Sequence, residues 1–202
     1  MGRQATSGGT TRPITVARNL RRDAQLSIDK IIAAATECIA VDPSVAMATI
    51  AHVAGVSRVT LYSHFPTKHE LIAAATQSLI SEVDTHLDDH QVDHLSADQA
   101  LQHLIRHAWT ALSRHRAFAV VIRERYGDVY EQRRDPVQRR LTSLIQRGRT
   151  EGHFRSDQPL IWQTALIEDL VVSAARLANQ GHIGENDVAG YLLETVIAAL
   201  RP

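Results

Sequence analysis

Apolar residues recur at intervals of three and four along most of this chain, with polar positions between them, which is the pattern of amphipathic helices. Leu26, Ile28, Ile31, Ile32, Ala35, Cys38 and Ile39 predict a first helix from Asp23 or Ser27 to Ala40, broken by Asp42-Pro43. A second helix is expected from about Ala46 to Gly55, and a third from about Arg58 to Phe65, where Pro66 stops it. A fourth starts near Lys68, carries Leu71, Ala74, Leu79, Ile80 and Val83, and fades at Asp88-Asp89. Further helices are expected over 97–114, 117–126, 135–150, 159–180 and 186–200. Asp135-Pro136 is expected to open the 135–150 helix and Gly152 to close it, with Asp157 capping the next. No strand-like run is bounded by turn signals, and no internal repeat appears. The fold class expected is all-α.

The stretch from Ile50 to Leu71 is the most specific part of the pattern. Ile50, Ala51, Val53 and Ala54 form a small apolar face, and Gly55 ends that helix because glycine enters the left-handed region at low cost. Val56 plugs the turn, and Ser57 is placed to cap the next helix. Leu61 and Phe65, four apart, point inward. Arg58, Val59, Thr60, Tyr62, Ser63 and His64 remain for another surface, and none is acidic. That composition suits the base edges and backbone of a DNA major groove.

Ile50-Ala51, Ala54-Gly55-Val56-Ser57, Thr60-Leu61-Tyr62, His64-Phe65, Lys68 and Leu71 together resemble the DNA-binding segment of TetR-family transcriptional regulators. A second stretch, Leu144 to Arg155 with Gly148 and Gly152 followed by His-Phe-Arg, is similar to the same family just before its last two helices. The resemblance implies a three-helix helix-turn-helix head joined to a larger helical body that binds ligand and dimerises. The corresponding division is 1–23 as a flexible basic arm, 24–70 as the head and 71–202 as the body. One position departs from the family: Ala46 stands where a capping Ser or Thr is usual, which leaves that phosphate contact open unless Ser44 takes it over.

In the expected complex Arg58 reads a base edge, since its planar fork fits guanine. Val59 and Ser63 meet thymine methyls or other edges. Ser57, as the cap, belongs to the same surface. Thr60, Tyr62 and His64 are placed for phosphates, which fix register without reading sequence. Lys68, at the positive end of the next helix, is expected to anchor a phosphate. One such helix reads too few bases, so a homodimer on a palindromic double-stranded DNA operator is expected. Its surface is expected on the last two helices, about 159–180 and 186–200, which are apolar on more than one side.

Charge and composition modify this picture slightly. The 202 residues carry 22 basic and 22 acidic side chains. Eight of the basic and five of the acidic residues lie in 1–75, a net +3 that leaves −3 for the rest. A basic front on a mildly acidic back fits a head that meets DNA and a body that avoids it. The arm is either a plain tail or a segment that enters the minor groove. No apolar run is long enough for a membrane span and the N-terminus lacks a signal-peptide core, so the cytoplasm is expected. The lone Cys38 sits in an apolar pattern and reads as core packing.

The resemblance also implies a small-molecule effector. Trp109, Phe118, Arg125, Tyr126, Trp162 and Leu166 are the aromatic, polar and apolar side chains expected to line its pocket, and no cofactor is expected. Ligand would release a repressor from its operator by population shift. Two alternatives stay open. His86, His90 and His94, with His103 and His107, recur at four-residue spacing that metal sites use, although solvated histidines share it. A helical enzyme or carrier is the other, but no nucleophile elbow, P-loop, dinucleotide fingerprint or metalloprotease motif is present.

Overall fold

A computed structural model describes the backbone of residues 13–87, 92 and 94–202, and the side chains of 22–85, 92, 94–184 and 187–202. Among the described residues ten helices follow in order: α1 (Pro13–Val41), α2 (Met47–Val53), α3 (Arg58–His64), α4 (Lys68–Leu87), α5 (Ala97–Ser113), α6 (Arg116–Arg125), α7 (Gly127–Glu131), α8 (Asp135–Thr150), α9 (Leu160–Asn179) and α10 (Glu185–Leu200). No strand occurs among the described residues, and no described helix is long and apolar enough to cross a membrane.

Two buried clusters hold the helices together. The first is built on α1–α4, with Ile31, Ile39, Ile50, Leu61, Leu71 and Ile72 fully enclosed. It also takes in Phe118, Ile122 and Val129 from α6 and α7. The second fills the body with residues of α5, α6 and α8–α10, among them Leu101, Ile105, Leu141, Ile145, Ile167, Val196 and Leu200. Leu79 of α4 packs against both. The head is therefore seated on the body through α6 and α7, and α4 runs from one core into the other.

Local chemistry explains most boundaries and corrects some expectations. Gly55 ends the α2 region at φ +67°, and the backbone N–H of Val56 returns to the Ala51 carbonyl. Ser57 caps α3 by accepting from the Thr60 N–H at 3.0 Å. At the start of α4, Thr67 Oγ1 accepts from Glu70 N–H, and Glu70 Oε2 accepts from Thr67 N–H, both at 3.1 Å, a reciprocal capping box. The first helix begins at Pro13 rather than Asp23 or Ser27, so residues 13–23 of the expected arm are helical; residues 1–12 lie outside the described residues. The helix over 127–131 was not visible in the hydrophobic period, being a single short turn. Asp135 is the first residue of α8, not its cap. Asp157 does not cap α9, because both of its oxygens accept from the Arg155 guanidinium at 2.7 and 2.6 Å; Pro159 holds the cap position.

The second family-like stretch has a structural explanation. Gly152 closes α8 at φ +77°, and the Gly148 carbonyl accepts from the N–H groups of His153 and Phe154. A Cβ on Gly148 would fall within 3.0 Å of three atoms of the buried Phe154 ring. Arg155 N–H then bonds the Leu200 carbonyl at 2.8 Å, tying the end of α10 to this corner.

Candidate nucleic-acid interface and body cavity

Leu61 is fully buried beneath α3 and Phe65 nearly so, which fixes the helix by its inner side. The outer side carries Arg58, Val59, Tyr62 and Ser63, all exposed, with Thr60 and His64 half-buried at its borders. Val59 is 80% exposed and Tyr62 48%, values that leave both side chains available to a partner. The α3 residues expected at DNA thus share one helix face, with Ser57 at its N-terminal end.

The hydroxyls on this face are partly engaged. Thr60 Oγ1 and Ser57 Oγ are 2.8 Å apart and share one proton between them. Ser63 Oγ donates to the Thr60 carbonyl at 2.8 Å. Ser63 therefore meets an incoming group as an acceptor, while the Ser57–Thr60 pair keeps one proton to give.

Lys68, expected at a phosphate, makes two bonds inside the head. Its ammonium donates to the carbonyls of Pro43 at 2.8 Å and Val45 at 2.7 Å, in the turn between α1 and α2. Two of its three N–H bonds are thus used inside the head, and the Glu70 carboxylate already faces the α4 N-terminus. Lys68 therefore clamps the turn preceding α2, with its third N–H outside these two bonds. Ser44 does not replace the missing cap at Ala46, which makes no side-chain bond: the Ser44 N–H and hydroxyl both donate to Asp42 Oδ1, at 2.8 and 2.6 Å. Those two bonds hold the Asp42 carboxyl below the usual carboxylate range.

The Pro43 carbonyl has a second donor, Tyr126 Oη at 3.1 Å. Tyr126 ends α6, so one carbonyl of the head accepts from the head's own Lys68 and from the body.

The body holds a cavity of about 120 Å³ between helices α4 to α9, with a largely apolar wall. None of Trp109, Phe118, Arg125, Tyr126, Trp162 and Leu166 lines it. Trp109 is buried in the body core and Phe118 in the core shared with the head. Arg125 is exposed, Tyr126 bonds Pro43, Trp162 is 59% exposed and Leu166 is half-buried. Residue type pointed to these six, but their places in the fold keep them off the cavity wall. The polar groups on the wall that sequence reading missed are Arg123, Tyr130 and Glu168. A charged residue inside an apolar stretch marked Arg123 and Glu168; nothing marked Tyr130, which sits on the unforeseen α7.

These three belong to an ion-pair ladder. Arg134 grips both Glu168 oxygens at 3.0 and 2.8 Å and Glu131 at 2.6 Å. Arg123 reaches Asp169 at 2.8 Å and Glu131 at 3.3 Å, and its guanidinium lies 4.6 Å over the Tyr130 ring. Burial raises the Glu168 carboxyl above the usual range, against the pull of Arg134 and Arg123. Burial, with the Glu168 charge, pushes the Tyr130 phenol up to about 12.

Among the described residues no group of three His, Cys, Asp or Glu could hold a metal ion. His103 and His107 stack with centroids 3.9 Å apart; His90 and the His86 side chain lie outside the described residues. The Cys38 thiol packs against the head core, and burial followed by the Glu37 charge raises its pKa.

Residues 31–75 match the family model for bacterial regulatory proteins of the tetR family. No curated protein matches the chain significantly in sequence. Similar solved structures include the fatty acid degradation regulator of Bacillus halodurans, 16% identical, covering 86% of this chain and 99% of that one with a TM-score of 0.73. The ketosteroid transcriptional regulator of Mycobacterium tuberculosis is 19% identical, with 87% and 95% covered and a TM-score of 0.70. A tetR-family regulatory protein from Rhodococcus RHA1 is 20% identical, with 87% and 97% covered and a TM-score of 0.73. Residues 31–75 thus match the tetR-family model, and the chain as a whole has the fold of TetR-family transcription regulators.

Proposed function

We propose that this chain is a homodimeric repressor that binds a palindromic operator in the cytoplasm and leaves it when a small molecule enters the body. The carrying observation is the outer face of α3, with Val59 80% exposed above a head core that is closed beneath it. Arg58 supplies the base-reading fork, and Thr60, Tyr62 and His64 flank it for phosphates. Residues 24–70 act as the reading head and 71–202 as the regulatory body.

The dimer surface is supported by apolar exposure on α9 and α10: Ile161 at 63%, Trp162 at 59%, Tyr191 at 57% and Leu177 at 36%. Large apolar side chains at this exposure on adjoining helices favour a second copy as their cover. The effector reading is supported by the cavity and by Ile122, which both lines it and packs in the head core. A ligand that shifts α6 moves the seat of the head. Two similar structures carry ligands: a Bacillus subtilis regulator with stearoyl-CoA and a Mycobacterium smegmatis regulator with proflavine.

The test is selection of binding sites from random duplex DNA with the full chain. A two-fold-symmetric consensus is expected, with affinity falling steeply as salt rises. Arg58→Ala is expected to cost about 1–3 kcal/mol of operator affinity and to relax specificity at one base pair per half-site. Recovery of no duplex site, or of an unsymmetrical one, sinks the reading.

A further inference from the structure

The polar end of the body cavity restricts what the cavity accepts. Glu168 is held at both oxygens by Arg134, and Arg123 is held by Asp169 and Glu131. Each charge on the wall therefore already has an opposite charge beside it. A charged ligand group would enter without a counter-ion of its own and would have to break one of these pairs, which is costly away from water. Tyr130 is different. Its ring is covered by Arg123, but its hydroxyl has no hydrogen-bond partner among the described residues. The rest of the wall is almost wholly aliphatic, with Ile80, Leu104, Ile105, Leu141 and Val171 among its members. The one further polar residue, Thr76, spends its hydroxyl proton on the Ile72 carbonyl at 2.8 Å. The volume of about 120 Å³ is of the order that takes one aromatic ring, since a dry cavity of about 150 Å³ accommodates benzene.

We infer that the cavity selects a neutral, mainly apolar molecule of about one ring that carries a single hydrogen-bonding oxygen, paired with the Tyr130 hydroxyl. This deepens the effector reading above and rests on it. The Tyr130 phenol stays protonated at neutral pH, so it offers both a donor and an acceptor. A hydroxyl or carbonyl oxygen on the ligand satisfies it, and the ring replaces empty space against the aliphatic wall.

The experiment titrates the full-length protein with four probes of one shape: 4-methylphenol, para-xylene, 4-methylbenzoate and 4-methylbenzylamine. Binding is read by calorimetry and by ligand-observed NMR. The phenol is expected to bind most tightly, about fivefold tighter than para-xylene, as one neutral hydrogen bond provides. Tyr130→Phe, which keeps the ring and its guanidinium cover, is expected to erase that fivefold difference; thermal melting of the variant checks that it folds. Ala108→Phe, which fills the cavity, locates each binding event. If the benzoate or the amine binds most tightly and Ala108→Phe abolishes it, the cavity remains a ligand site but the chemistry proposed here is overturned. An unchanged phenol preference in Tyr130→Phe also overturns it. No binding by any probe removes both the inference and the assignment of this cavity to the effector, while leaving operator binding to be judged on its own test.

Discussion

At the scale of single residues, Lys68 shows how a side chain that fits a motif is fixed by its neighbours. Its place at the start of α4 suits a phosphate, yet the carbonyls of Pro43 and Val45 accept two of its protons. Charge-assisted bonds of this kind are worth about 1.5–3 kcal/mol each. Lys68→Met is therefore expected to destabilise the head by about 2 kcal/mol or more, seen as a lower urea midpoint. The slope of log affinity against log salt is expected to stay as in the parent, because no phosphate contact is lost. A slope shallower by about one ion would return Lys68 to the phosphates. Nothing in the sequence forecast the clamp, since its acceptors lie 25 and 23 positions away. Ser57 and Gly55 were legible because caps and left-handed turns act within four residues.

At the scale of elements, the corner joining α8, α9 and α10 shows packing rather than chemistry at a family-like motif. Gly148 is helical and needs no unusual backbone, so its role is space for the Phe154 ring. Gly148→Ala is expected to cost about 1–3 kcal/mol by overpacking, more than an exposed helical Gly→Ala, which usually stabilises. A melting temperature equal to or above the parent's would refute the close approach. The same corner makes the fate of Asp157 intelligible: the Arg155 guanidinium two residues away competes successfully with the α9 N-terminus. Local sequence offered both partners and could not rank them. The ladder around Glu168 adds a pH dependence. Its folded-state carboxyl titrates above the ordinary 4.5 because of burial, so the native state holds the extra proton in the window from 4.5 upward. Stability from this group falls as pH rises through that window. Glu168→Gln is expected to remove that falling contribution, so that urea midpoints measured from pH 4.5 upward decline less with pH than in the parent. Parallel pH profiles would mean that Glu168 is ionised throughout.

At the scale of the whole molecule, the decisive features are a shared core and an uncovered face. Phe118, Ile122 and Val129 of the body complete the head's core, and Tyr126 bonds the head's Pro43 carbonyl. α6 is thus in direct contact with the head's core and with the turn that Lys68 clamps. The uncovered face is the one on α9 and α10, where Trp162 and Tyr191 are each more than half exposed. Trp162→Arg combined with Tyr191→Glu is expected to convert a dimer to monomers in sedimentation, with helicity kept and operator affinity lowered by at least tenfold. A dimer that survives this double change would move the interface elsewhere.

The hydrophobic period and the short-range caps determined by themselves that the chain is all-α, where nine of its helices lie, and that α3 presents a wet face, because helix formation and capping depend on neighbours one or two turns apart. Tertiary structure alone decided which aromatics face the cavity and which are core or surface. It also decided that Arg123, Tyr130 and Glu168 meet, and that Lys68 turns inward. Each of those depends on how separate helices rotate and cross, and residues far apart in sequence become neighbours only when the cores close.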